Sequence, residues 1–83
     1  MMHWSFSELE REILLNIPGV DKSVISTLER MGFASLNQLA QAGEDVILQS
    51  SAHVFGMPVW LHNPQMRRTI RWVCDQAREL APV

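Results

Sequence analysis

Ile17-Pro18-Gly19-Val20-Asp21 is the segment that most limits what this chain can fold into. Proline lacks an N–H and its ring clashes with the preceding turn, so a helix running into Pro18 has to stop there. Gly19 admits left-handed backbone without steric cost. Asp21 is a good N-cap, because its carboxylate can accept from N–H groups at the start of the next helix. On both sides apolar residues recur at spacings of three and four. Phe6, Leu9, Ile13 and Ile17 come before the turn, and Val24, Ile25, Leu28 and Met31 after it. That spacing puts each set on one helical face. The expectation is two amphipathic helices joined by a tight turn.

The same punctuation continues along the chain. Ser5 with Glu8 reads as a capping box for the first helix, with Trp4 and Leu9 in the flanking staple positions. Gly32 closes the second helix. Ser35 with Gln38 reads as another capping box, opening a short third helix that turns Leu36 and Leu39 inward and stops at Gly43. A fourth helix, Glu44 to Phe55, presents Ile47, Leu48, Val54 and Phe55 and ends at Gly56. Residues 57–62 have no helical period, and Pro58 forbids a helix nearby. The segment is apolar, so it is expected to pack as a loop across the core. Asn63-Pro64 is an N-cap followed by proline at the first helical position. The last helix then runs to Leu80 on Met66, Ile70, Val73, Ala77 and Leu80. Strand signals are weak: there is no Asn-Gly or Asp-Gly hairpin, no sustained alternation and no tyrosine. The expected fold is all-α, a compact bundle of about five short helices forming a single domain across residues 1–83.

Composition narrows the function. Hydrophobic residues make up 47% of the 83 and charged residues 19%, which is globular rather than disordered. No apolar run approaches the roughly 18 residues a membrane span needs. Met1-Met2-His3-Trp4-Ser5 has neither the basic nor the apolar region of a signal peptide. Cys74 is the lone cysteine, so no intramolecular disulfide forms, and a free thiol fits a reducing cytoplasm. The expected location is therefore cytoplasmic, with no membrane partner. The net charge is −2, whereas a dedicated non-specific DNA binder is usually strongly basic. Any nucleic-acid role must rest on a local patch or on a basic partner.

Residues 14–28 resemble the helix–hairpin–helix motif: Leu14-Leu15-Asn16 lead into Ile17-Pro18-Gly19-Val20, and an amphipathic helix follows Asp21. Leu28-Glu29-Arg30-Met31-Gly32-Phe33-Ala34-Ser35-Leu36-Asn37-Gln38-Leu39-Ala40 resembles the usual sequel, in which a helix ends at glycine and a short S-L-x-x-L helix follows. With the later helices, the outline looks like small bacterial helix–hairpin–helix proteins of the pathogenicity-locus and mitomycin-resistance-like kind. The specific part spans residues 13–42. The resemblance implies a SAM-like helical bundle, and a hairpin that holds a DNA backbone without reading bases. Carried over, Gly19, Val20, Lys22 and Ser23 are the contacts. The physical logic is that the helix start offers free N–H groups and a favourable dipole to an anion. Asp21 stands where the family pattern has its second glycine. Its side chain competes for those N–H groups and puts a negative charge beside them.

The last helix carries the one basic concentration, Arg67, Arg68, Arg71 and Arg78. At 100° per residue Arg67, Arg71 and Arg78 fall within about 40° of one another. Arg67 and Arg71 are the expected additional phosphate contacts. The same flank also reads as an ordinary solvated edge whose aliphatic stems cover the core. Arg68 and Trp72 are four apart and can stack. If exposed, Trp60, Leu61 and Trp72 are the expected anchors of a protein interface, since aromatics are favoured there; completing the core is the competing reading for at least one of the tryptophans. His3, His53, His62 and Cys74 show no ligand spacing, so neither a metal nor another cofactor is expected. Ser50-Ser51 near His53 has no elbow or oxyanion loop around it, and no catalytic set emerges. The chain is expected not to be an enzyme. Two readings stay open: a DNA-associated accessory that contacts the phosphate backbone non-specifically, or a module that kept the fold and binds a protein partner or a second copy.

Overall fold

A computed structural model describes residues 5–57 and 59–80. Among them it contains helices and no strand: α1 (Glu8–Leu15), α2 (Lys22–Arg30), α3 (Leu36–Phe55) and α4 (Pro64–Leu80). The all-α expectation holds, with four helices rather than about five. The expected third and fourth helices run on as one element. Gly43 does break it, at φ 80° and ψ 167°, a conformation that is essentially glycine's alone. The helix resumes at Glu44 at once, so the break is a kink inside α3 and not a linker.

The first helix starts two residues later than the spacing predicts. Ser7, not Ser5, is its N-cap: Ser7 Oγ accepts from the Glu10 N–H at 3.2 Å, and Glu10 Oε1 lies 3.4 Å from the Ser7 nitrogen. Both registers read Ser-x-x-Glu, so local sequence does not separate them. Tertiary contacts do. In the observed register Phe6 is buried, its N–H donates to Glu29 (3.0 Å), and Glu10 Oε2 accepts from the Leu36 N–H (2.9 Å). Leu9 is 69% exposed, against its expected place on the inner face. Trp4, the expected staple, lies outside the described residues.

The other caps follow the sequence. Asp21 Oδ1 accepts from the Val24 N–H at 3.0 Å. After α2, Gly32 N–H donates to Glu29 and Phe33 N–H to Leu28, the paired bonds of a Schellman ending. Ser35 accepts from Gln38 N–H, but Gln38 reaches back to the Ala34 N–H rather than to that of Ser35, so this box is only half closed. Asn63 Oδ1 caps α4 through the Gln65 and Met66 N–H groups.

The core is built from Leu14, Ile25, Leu28, Leu39, Ile47, Leu48, Ile70 and Val73, all essentially inaccessible. The most extensive pairing is between α3 and α4, with α2 against α3 and α1 against α2. Leu80 and Phe55, expected inside, are partly exposed. The 57–62 segment folds in only around its middle: Trp60 is buried and packs at 5.6 Å against the Phe55 ring, while Met57, Val59 and His62 are exposed. Pro58 lies outside the described residues. No helix among the described residues is long and apolar enough to cross a membrane.

Candidate functional site

The Ile17–Asp21 turn forms as the sequence requires: Ile17 and Val20 are buried, while Pro18, Gly19 and Asp21 stay exposed. Gly19 sits at φ 90°. A Cβ there would run into the Thr69 side chain, with Thr69 Cγ2 at 3.2 Å. Thr69 is itself buried on α4. The missing side chain at Gly19 therefore serves close packing of the turn on α4, in addition to its left-handed backbone. Val20 is buried, and its N–H donates to the Ile17 carbonyl at 3.1 Å. Neither its side chain nor its N–H is available as a phosphate contact, and Val20 drops out of the expected set for that reason.

Lys22 and Ser23 remain exposed. They occupy the first two positions of α2, where N–H groups have no acceptor within the helix. Asp21 takes the third. An anion at this helix start thus has two N–H groups and the Lys22 ammonium to meet, with the Asp21 carboxylate alongside. The competition expected from Asp21 is present in the geometry.

The basic residues of α4 are more accessible. Arg67, Arg68 and Arg71 line a shallow cleft with Pro64 at the start of the helix. Arg71 is partly engaged, its Nε 3.4 Å from the Glu44 carboxylate. Arg78, on the same flank by helical geometry, pairs at 3.9 Å with Asp75 and lies beside Gly43, away from that cleft. Arg68, not among the expected contacts, joins Arg67 and Arg71 in this cleft. It lines a second cleft as well, together with Pro18, Gly19, Gln65, Thr69 and Trp72. Arg68 is the residue that joins the arginines of α4 to the turn. Its four-residue spacing to Trp72 was the signal available in the sequence.

Of the expected protein-interface residues, Trp60 is buried in the core at 6% exposure and offers no surface. Its position between α3 and α4 lets it seal their ends against Phe55. Leu61 is partly covered. Trp72 is 42% exposed. It forms the border between the Arg68 cleft and a groove of about 340 Å³ lined by Ile13, Ile17, Pro18, Asp75 and Gln76.

Among the described residues no three His, Cys, Asp or Glu side chains gather as a metal site. Cys74 is buried and its Sγ lies 4.0 Å from the Leu39 carbonyl. Burial pushes its thiol up to about 11, with nearby Arg78 opposing in part. A thiol so held is a poor nucleophile at neutral pH. Comparison with family models, with curated proteins and with solved structures finds no match.

Proposed function

We propose that this chain is a non-enzymatic nucleic-acid-associated domain of the helix–hairpin–helix type, holding a phosphate backbone through the outer face of α4, with the start of α2 as a further contact. The observation that carries this reading is the shared position of Arg68. It connects a cleft with Arg67 and Arg71 to the cleft bordered by Gly19, so cationic side chains and the turn form one continuous surface. A guanidinium recognises phosphate in a bidentate geometry and stays charged at any working pH. Arg67, Arg68 and Arg71 are the main contacts, and Lys22 and Ser23 add the free N–H groups of α2. Because the protein as a whole is acidic, binding is weak and non-specific, and its salt dependence reports the few phosphates that these cations neutralise.

A second reading has its own support. The groove beside Trp72 combines Ile13, Ile17 and Pro18 with the polar Asn16, Asp75 and Gln76, a mixed setting suited to a protein partner, and a net charge of −2 favours a partner other than a polyanion. On this reading Trp72 anchors a protein partner or a second copy.

Titration with short DNA, followed by amide chemical shifts, separates the two. Shifts at residues 22–23 and 65–72 that shrink as salt rises are the expected result. The double charge reversal Arg67→Glu/Arg68→Glu should abolish them while leaving the melting temperature nearly unchanged. Absence of any shift at low salt, with a concentration-dependent Trp signal in the protein alone, would replace the first reading by the second.

A further inference from the structure

The clefts on the two sides of Trp72 differ in chemistry. On one side lie Arg68, Gln65 and the backbone of Gly19, continuous with Arg67 and Arg71. On the other lie Ile13, Ile17 and Pro18 together with the polar side chains of Asn16, Asp75 and Gln76. A phosphate is attracted to the first side and repelled by Asp75 on the second. A flat, uncharged aromatic group suits the second side, where it meets the indole, the Pro18 ring and polar side chains at the edge of the groove. A nucleotide is a molecule with both parts, joined at about the separation of neighbouring side chains. Trp72 sits on the boundary, 42% exposed although its neighbours Val73 and Cys74 are buried.

We propose that Trp72 is a stacking platform for an unpaired nucleobase, and that the ligand of this surface is single-stranded nucleic acid. The inference rests on the nucleic-acid reading above and deepens it. In a duplex the base faces are already covered by their neighbours, so an indole on the protein surface gains nothing from them. In a single strand each base offers a free face, and stacking tolerates any sequence. Arg68, one turn before Trp72, adds its guanidinium plane next to the same base. Arg67 and Arg71 hold the flanking phosphates.

The experiment uses the full chain and three ligands of equal length: an oligothymidylate, an abasic oligonucleotide with the same number of phosphates, and a duplex. The expected result is that oligothymidylate binds tightest at low salt. Trp72→Ala should weaken it by about five- to 150-fold, and Trp72→Phe by only a few fold. The abasic strand should bind weakly and respond little to either change. Wild-type emission minus that of Trp72→Phe isolates the Trp72 signal, and oligothymidylate should quench it. Should Trp72→Ala fail to fold, this quenching and the Trp72→Phe affinities carry the test.

Equal affinity for all three ligands, without quenching, overturns stacking but leaves the phosphate surface in place. A loss in Trp72→Ala that is as large for the abasic strand also overturns it, since the indole then only shapes the cleft. No binding of any ligand at low salt removes both this inference and the reading beneath it.

Discussion

The turn at Ile17–Asp21 and the outer face of α4 adjoin each other, yet their residues are used in opposite ways. In the turn, the groups that resemble a ligand site are engaged internally: Gly19 against Thr69, Val20 in the core, Asp21 on the Val24 N–H. On α4, Arg67, Arg68 and Trp72 follow no motif, and they are exposed on the lining of open clefts. The difference shows that a recognisable local pattern can be taken up in packing the fold while the most exposed cationic and aromatic side chains lie elsewhere. What makes the turn recognisable is the geometry it must adopt, and here that geometry docks it onto α4.

The sharpest way to break this contrast is at Gly19. Replacement by valine combines a left-handed backbone penalty of about 1–2 kcal/mol with overpacking of about 1–3 kcal/mol. Gly19→Val should therefore lose about 2–5 kcal/mol in chemical denaturation. Gly32 has a similar φ of 101° but nothing near a would-be Cβ, so Gly32→Ala should cost clearly less than Gly19→Ala. Equal costs would mean that the turn does not pack on Thr69, and the contrast with α4 would collapse.

Cys74 gives a second, pH-dependent probe of the α3–α4 core under the arginines. Its thiol is raised by burial from 9.0 to about 11, so the folded state binds the proton more tightly than the unfolded state. The resulting stabilisation is complete below the unfolded value and is lost as pH rises towards 11. Two units correspond to about 2–3 kcal/mol. Denaturation of wild type and Cys74→Ala across that range should show the alkaline decline diminished in the variant. An unchanged decline would place Cys74 in contact with water.

Smaller effects sharpen the comparison. Asp21→Ala should cost about 1 kcal/mol as a lost N-cap, and Asp21→Gly only a few tenths. Asp21→Gly should also strengthen DNA binding if the carboxylate obstructs the start of α2. A glycine variant indifferent to DNA would make the turn wholly structural and leave α4 as the contact surface. Smallest for stability is Arg68→Ala, within about 0.5 kcal/mol. Its signature is in binding, where the salt dependence should drop by about one phosphate contact.

Much of the fold was legible because its signals are local. Asp21, Asn63 and Gly32 act within a turn of where they stand, so their hydrogen bonds follow from spacing alone. The first helix shows where local reading fails. Ser5-x-x-Glu8 and Ser7-x-x-Glu10 are equivalent as caps. What selects the second is burial of Phe6 and the bonds from Phe6 and Leu36 to Glu29 and Glu10, over 20 residues away in sequence. At Gly43 the sequence marks the break, but whether a loop or a kink follows depends on how α3 lies on α4.

The site divides along the same line. Sequence alone determined that Pro18 and Gly19 interrupt the helices, that Asp21 restarts them, and that α4 carries the arginines. These are properties of single residues and of helical periodicity. Tertiary structure decided which side of each residue is covered. It buried Trp60 and Val20, turned Arg78 toward Asp75, and set Arg68 and Trp72 beside Gly19. Burial depends on every element packed against a residue, and spacing within one helix cannot report the position of another.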